Sequence, residues 1–323
     1  MVGEHDSVFA LLKKELPQII CIRCSCHMAH LAISKACLKL PRQVEDLLRN
    51  VGSHFNRSSL RRKKFEEFQH FFHVEIHKIL SPAVTRWLSI KACIDRVLEQ
   101  YEPLKHYLME SVLEDPSHTT DSMLEAMKNP FTRVYLEFMS YTLGLMTDFN
   151  MLFQSEKPLL HRVKPETIAL LETLYVNFLE LSHIKKAKDI FKLNHENPDF
   201  FLPLENIYLG MAATESFADL NKNPNIQRND IVTFLKSILS SYIDLAKNIK
   251  EKLNFKEPIF DIIDILDPKV AQSFKTKSLK HVIDTFPVLK DHVDPQALDN
   301  EWKKHALLHF EDLHVNMKDC EQY

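Results

Sequence analysis

Only four of the 323 residues are glycine. Tight hairpin turns and phosphate-cradling loops both need glycine where the backbone turns sharply or approaches a ligand, so this scarcity argues against both. Cysteine is also sparse: there are six, four of them between positions 21 and 37. So few in so long a chain do not make a disulfide framework, and a reducing compartment is expected. No apolar run approaches the roughly 20 residues that a membrane-spanning helix requires. The opening text MVGEHDSVFALLKKEL carries acidic residues and a helical pattern, unlike a signal peptide. GxSxG, P-loop, HExxH and paired CxxC motifs are missing, so the commonest nucleophile, nucleotide and zinc-hydrolase chemistries have no foothold. A soluble, intracellular protein without membrane partners is expected.

What is present suits helices. The chain is 45 % hydrophobic, enough to bury a substantial core. Its abundant Leu, Lys, Glu, Ile and Phe favour a mainly α protein. Net charge is only -3, but residues 1–100 hold 16 Lys/Arg against 10 Asp/Glu, so the remainder carries the acidic excess. A basic N-terminal third points to a polyanionic partner.

Ser7 is placed to cap a short helix that Pro17 closes. Ile19, Ile20, Cys21 and Ile22 then form a short β-branched run, which predicts a buried strand over Ile19 to Arg23. From His27 onward Leu31, Ala32, Ala36 and Leu38 recur at helical spacing until Pro41. Cys24, Cys26, His27 and His30 thus fall at an expected strand-to-helix junction, a place where α/β folds put chemistry. A helix around Val44, Leu47, Leu48 and Val51 follows. Ser58 or Ser59 can cap the next, with Phe65, Phe68 and Phe72 on one face. Ile90, Ile94, Val97, Tyr101, Leu104 and Leu108 step by four and three, and Pro103 should kink or end that helix near Tyr101. EDPSHTTDS predicts an exposed connection. Further helices are expected over Phe131 to Gln154, Pro165 to Lys192, Asp230 to Leu253 and Val270 to Ile283, with a frayed end at EDLHVNMKDCEQY.

Two blocks carry a resemblance. Cys24-Ser25-Cys26-His27, followed by Leu31 and SKACLKLP, is similar to the CxxH segment of hAT superfamily DNA transposases. Thr85-Arg86-Trp87-Leu88-Ser89, with a long helix ending near YEPLKHYL, resembles their TRW segment at the matching distance. FQSEKPLLH, ILDPK and DNEW are weaker echoes. The closest likeness is to domesticated, vertebrate-type copies associated with BED or other zinc fingers.

The resemblance implies a partial RNase H-like α/β core over residues 1–40, one strand with flanking helices, joined to an all-helical insertion domain over 41–323. It also implies that two catalytic aspartates would precede Met1. The third acid, a glutamate in a block with the dimerisation helices, would follow the insertion domain. Asp6 and Glu301 do not occupy matching positions. The magnesium or manganese of strand transfer belongs to a complete transposase, with several carboxylates converging on paired ions.

Cys21, Cys24, His27 and His30 carry zinc-ligand chemistry, but four ligands within ten consecutive residues leave no loop by which the chain could return around the ion. Buried cysteines at a polar helix start are the plainer reading, and no metal or other cofactor is expected. The resemblance gives Cys24 and His27 a shaping role beside the acidic site. Trp87 reads as a core anchor with Arg86 paired to an acid, or as a stacking face for an unstacked base with a phosphate-holding guanidinium. The resemblance favours a DNA-end role for Arg86 and Trp87. Arg57, Arg61, Arg62, Lys63 and Lys64 crowd five cations into eight residues. They read as a solvated helix start, a phosphate-contacting face or a nuclear address.

The expectation is therefore a truncated, transposase-derived protein without catalysis of its own. It would bind nucleic acid, protein or both in the nucleus, or failing that the cytoplasm. A fragment of an active transposase and a helical protein-interaction scaffold without DNA binding are the alternatives.

Overall fold

The computed structural model describes residues 7–17, 19–82, 87–114 and 116–308. Among them lie fifteen α-helices and no named β-strand. The mainly helical expectation holds. The strand expected over Ile19 to Arg23 does not form, and no RNase H-like β core is seen. The physical reason is pairing: a strand needs a neighbour to take its backbone groups, and no second strand lies among the described residues. Instead Ile19 donates its N–H to the Leu16 carbonyl, and its own carbonyl accepts from Lys13 Nζ at 2.8 Å.

The helices are α1 (Val8–Glu15), α2 (Ser25–Cys37), α3 (Arg42–Asn56), α4 (Ser59–Phe71), α5 (Trp87–Glu99), α6 (Tyr101–Glu114), α7 (His118–Lys128) and α8 (Pro130–Leu152). There follow α9 (Leu160–Tyr175), α10 (Leu181–Lys186), α11 (Met211–Asn221), α12 (Arg228–Lys252), α13 (Pro268–Gln272), α14 (Lys280–Thr285) and α15 (Pro295–His305). None is long and apolar enough to cross a membrane. The chain divides into two compact units: residues up to His27 with Leu152–Ile168 and those from Leu253, and Met28–Met151 with Ala169–Lys252.

Within the second of these units, α3, α4, α6 and α7 pack together. Helical spacing puts Phe55, Phe65 and Phe68 around the Tyr107 ring, with centroids 5.1, 5.7 and 5.8 Å away. Tyr107 is 2 % exposed, and its hydroxyl meets His54 Nε2 at 2.9 Å. Each buried aromatic contributes about 1.5–3 kcal/mol through the area it removes from water. Truncating Phe55, the most central, to alanine should therefore cost about 3–5 kcal/mol. A second aromatic seam joins α8 to α12, where Phe138 meets Tyr242 at 5.2 Å and Phe131 meets Phe234 at 5.4 Å.

Over residues 74–82, after α4, the backbone forms neither helix nor named strand. Side chains take its carbonyls instead: Gln69 Nε2 donates to His77 O at 2.9 Å, Gln100 Nε2 to Glu75 O at 3.0 Å, and Arg96 to Lys78 O at 2.7 Å. The segment returns over Gly52 in α3. A Cβ built there would lie 2.6 Å from Ser81 Oγ and 2.8 Å from Ser81 Cα, so this mid-helix glycine is fixed by close approach.

Several expected boundaries shift. Ser7 and Ser58 cap their helices as anticipated, and Gln100 separates α5 from α6, with Pro103 inside the first turn of α6. The exposed connection after Glu114 gives way to α7, because Ser117 and Thr120 form a reciprocal capping box. The helix expected over Pro165 to Lys192 is split: α9 ends at Tyr175, and the chain turns before α10. The helix expected over Val270 to Ile283 is likewise two short ones, α13 and α14.

Candidate nucleic-acid interface

The polar joint Asn56-Arg57-Ser58 turns the chain from α3 into α4. Arg57 occupies the C-terminal cap of α3, and Ser58, in extended conformation, caps α4 by accepting from Arg61 N at 3.3 Å. Arg57 lies in that turn, and Arg61, Arg62, Lys63 and Lys64 follow in the first two turns of α4. The first turn of α4 holds no acid, so its cations face the positive end of the helix dipole, an arrangement that costs some tenths of a kcal/mol per charge.

The five cations separate into different roles. Lys64 Nζ reaches Glu110 Oε1 at 2.7 Å and also pairs with Glu114, both on α6. Hydrogen bonding to Glu110 and then Glu114 pushes its pKa up, locking the ammonium to protein carboxylates. Arg57 and Lys63 are exposed, and Arg61 and Arg62 half-buried. Among the described residues, Arg57, Arg62 and Lys63 have no acidic partner. Arg57, Arg61 and Lys64 border one hollow of about 410 Å³, shared with Ser58, Ser111 and Glu114. Arg62 borders another, of about 350 Å³, whose far side includes Lys78. The run thus spreads positive charge to both flanks of α4.

The family-like residues are placed differently. Thr85 and Arg86 lie outside the described residues, as does the indole of Trp87, whose backbone opens α5. Cys24 immediately precedes α2 and is exposed, and His27 is exposed in its first turn. Cys21 and His30 are half-buried. Burial, with Cys24 beside it, raises the pKa of the Cys26 thiol, which makes it a poor nucleophile. The EDLHVNMKDCEQY end lies outside the described residues.

Two of the weaker echoes have direct structural explanations. In ILDPK, Asp267 caps α13 by accepting from Lys269 N at 2.9 Å, and Pro268 takes the first helical position. Asp294 and Pro295 do the same for α15. The pair is thus a helix-start device that any helical chain can use. In DNEW, Asp299 accepts from Ser278 Oγ and Leu279 N, both at 2.7 Å, and Trp302 Nε1 donates to Thr276 O at 2.7 Å. These two residues fasten the segment before α14 onto α15. The Ser278 hydroxyl and Leu279 amide hold the Asp299 carboxyl below its usual range.

One group of metal-ligating side chains gathers among the described residues, and the sequence did not suggest it. Glu75, His77 and Glu99 bring their ligand atoms within 4.8 Å of one another. Two carboxylates and an imidazole are a plausible donor set for a divalent ion. In this arrangement, however, His77 Nδ1 meets Glu99 Oε1 at 2.6 Å while Nε2 faces Glu75 Oε1 at 3.3 Å. The ring spans the two acids and does not converge with them on one point. Arg96 Nε completes the chain on Glu99 Oε2 at 2.8 Å. The group clasps Glu75 and His77 onto Glu99 and Arg96 of α5.

Sequence reasoning found the basic run but missed Ser111, which lines the hollow, and Glu110 and Glu114, which pair with Lys64. A small polar residue on the buried face of α6, three residues after Leu108, was the available signal for Ser111. No protein-family model matches this chain, and no solved structure matches it significantly. The likeness to hAT transposases therefore rests on the CxxH and TRW blocks themselves.

Proposed function

We propose that this chain is a non-catalytic, transposase-derived binding module of the nucleus that holds nucleic-acid backbone at the α3–α4 turn. Arg57, Arg61, Arg62 and Lys63 are the contacting cations. The observation that carries this reading is their crowding into a few residues across the α3–α4 turn, where the α4 dipole disfavours Arg61 and Arg62 and where Arg57, Arg62 and Lys63 have no acidic partner among the described residues. Phosphate oxygens would give Arg57, Arg62 and Lys63 the anionic partner that none of the described residues supplies. The family resemblance adds Arg86 and Trp87 as contributors at a DNA end.

Backbone contact of this kind is sequence-tolerant and weakens steeply with salt. Binding of labelled duplex, hairpin and single-stranded DNA at low salt is the experiment, comparing wild type with the variant in which the four cations are replaced by glutamine. Loss of binding in the variant supports the reading. Wild-type chain that binds no DNA at low salt overturns it.

A helical protein-interaction scaffold is the second reading. It is favoured by Lys64, whose ammonium is committed to Glu110 and Glu114 and is not presented to a ligand.

A further inference from the structure

We infer that the hollow of about 410 Å³ between the α3–α4 turn and α6 is a phosphate pocket that grips one phosphate of a bound nucleic-acid strand. The inference rests on the nucleic-acid reading above and assigns the point on the basic face where the strand is held. Ligand sites of about 300–1,000 Å³ are common, so the volume suits one phosphate with its adjoining sugar.

The second observation comes from the opposite wall. Ser111 on α6 is 8 % exposed, lines the hollow, and has no hydrogen-bond partner among the described residues. A helical serine usually bonds the carbonyl one turn back. With that bond unmade, its hydroxyl can donate to a ligand seated in the hollow that Ser111 lines and that Arg57, Ser58 and Arg61 border. A phosphate oxygen seated there accepts from the Ser111 hydroxyl while the guanidinium of Arg57 at the rim neutralises its charge. Arg62 and Lys63, away from the hollow, meet neighbouring phosphates along the strand.

Glu114 gives the pocket a specific signature. Its side chain is 60 % exposed at the border of the hollow and carries the one acidic charge among the lining residues. Lys64 offsets that charge but does not remove it. Replacing Glu114 with glutamine therefore strengthens anion binding, an effect that a merely structural role for these residues does not produce.

The experiment is fluorescence anisotropy of a labelled oligonucleotide with the full chain at low salt. It compares wild type, Ser111→Ala, Glu114→Gln and Lys63→Gln, with inorganic phosphate and a nucleoside monophosphate as competitors. Ser111→Ala is expected to bind three- to tenfold more weakly with an unchanged melting temperature, and Glu114→Gln severalfold more tightly. Competition by the monophosphate at lower concentration than by inorganic phosphate assigns the pocket to a nucleotide unit. Competition by both equally assigns it to the phosphate group alone, and either result sustains the inference. If Ser111→Ala and Glu114→Gln bind like wild type while Lys63→Gln weakens, the basic face binds backbone but the hollow is no pocket. If wild type does not bind at all, the functional reading itself fails.

Discussion

Gln69 and Gln100, 1 % and 0 % exposed, meet side chain to side chain at 2.9 Å beside residues 74–82, which follow α4. Through them the carbonyls of His77 and Glu75 gain partners that a neighbouring strand would ordinarily supply. Two buried amides thereby replace a sheet edge, and they join α4, which bears most of the basic run, to the start of α6. Because each is fully desolvated, removing one strands the other's polar atoms.

Gln100→Ala is accordingly expected to lower stability by about 2–3 kcal/mol, read as a shift in the urea midpoint at constant slope. The double replacement with Gln69→Ala should cost less than the two single effects added together, since both act on one network. A Gln100→Ala midpoint within error of wild type would contradict the role given to the pair.

Gly52→Ala sets two effects against each other. Alanine should gain about 1 kcal/mol of helix propensity in the middle of α3. Its Cβ, however, would meet the Ser81 backbone at 2.8 Å and the Leu80 carbonyl at 3.0 Å. Backbone cannot yield as a flexible side chain can, so a net loss of about 1–3 kcal/mol is expected from overpacking. A thermal melt that rises instead would show that residues 80–81 do not pack on α3 as described.

Acid sensitivity should arise from two buried imidazoles. His195 and His161 are 4 % and 5 % exposed, and burial holds both below the ordinary histidine pKa, with Lys250 adding to the effect at His195. A base whose native pKa is lowered binds more protons when unfolded. Its contribution is whole above the unfolded value of about 6.5 and declines as pH falls below it toward the native value. Stability should therefore drop between pH 7 and pH 5. His195→Phe, which can keep the stack on Tyr175, should flatten that slope, and an unchanged slope would remove His195 from the explanation.

Much of the helical framework was legible in the residues. The four-and-three stepping from Ile90 to Leu108, the Ser58 cap and the interruption near Tyr101 all correspond to observed elements. The Ile19 to Arg23 run misled because β-branched residues look alike in a strand and in an irregular segment; the difference lies in a partner that local text cannot reveal. Residues 74–82 posed the converse problem, since their carbonyls are held by Gln69, Gln100 and Arg96 from outside the segment. α7 was hidden in polar text because its capping box uses Thr120 where glutamate or glutamine is usual. At the site, the five cations were visible at once. That one of them answers to Glu110 and Glu114 was not, because those acids lie nearly fifty residues away in sequence.

The distinction between Lys64 and its neighbours gives a sharp expectation for binding. Lys64→Gln should weaken DNA binding, because it releases two carboxylates beside the basic face. It should leave the salt dependence unchanged, because Lys64 touches no phosphate. Lys63→Gln should instead make the dependence shallower by about 0.9 in a plot of log affinity against log salt. The opposite assignment of slopes would show that Lys64 is presented to the ligand after all.

The most direct measurement of the central claim is that slope for the wild-type chain on duplex DNA. Four phosphate contacts, through Arg57, Arg61, Arg62 and Lys63, correspond to a slope of about -3.6, collapsing toward zero when all four are replaced by glutamine. Binding that ignores salt, or survives the fourfold replacement with its slope intact, would contradict a nucleic-acid interface at the α3–α4 turn.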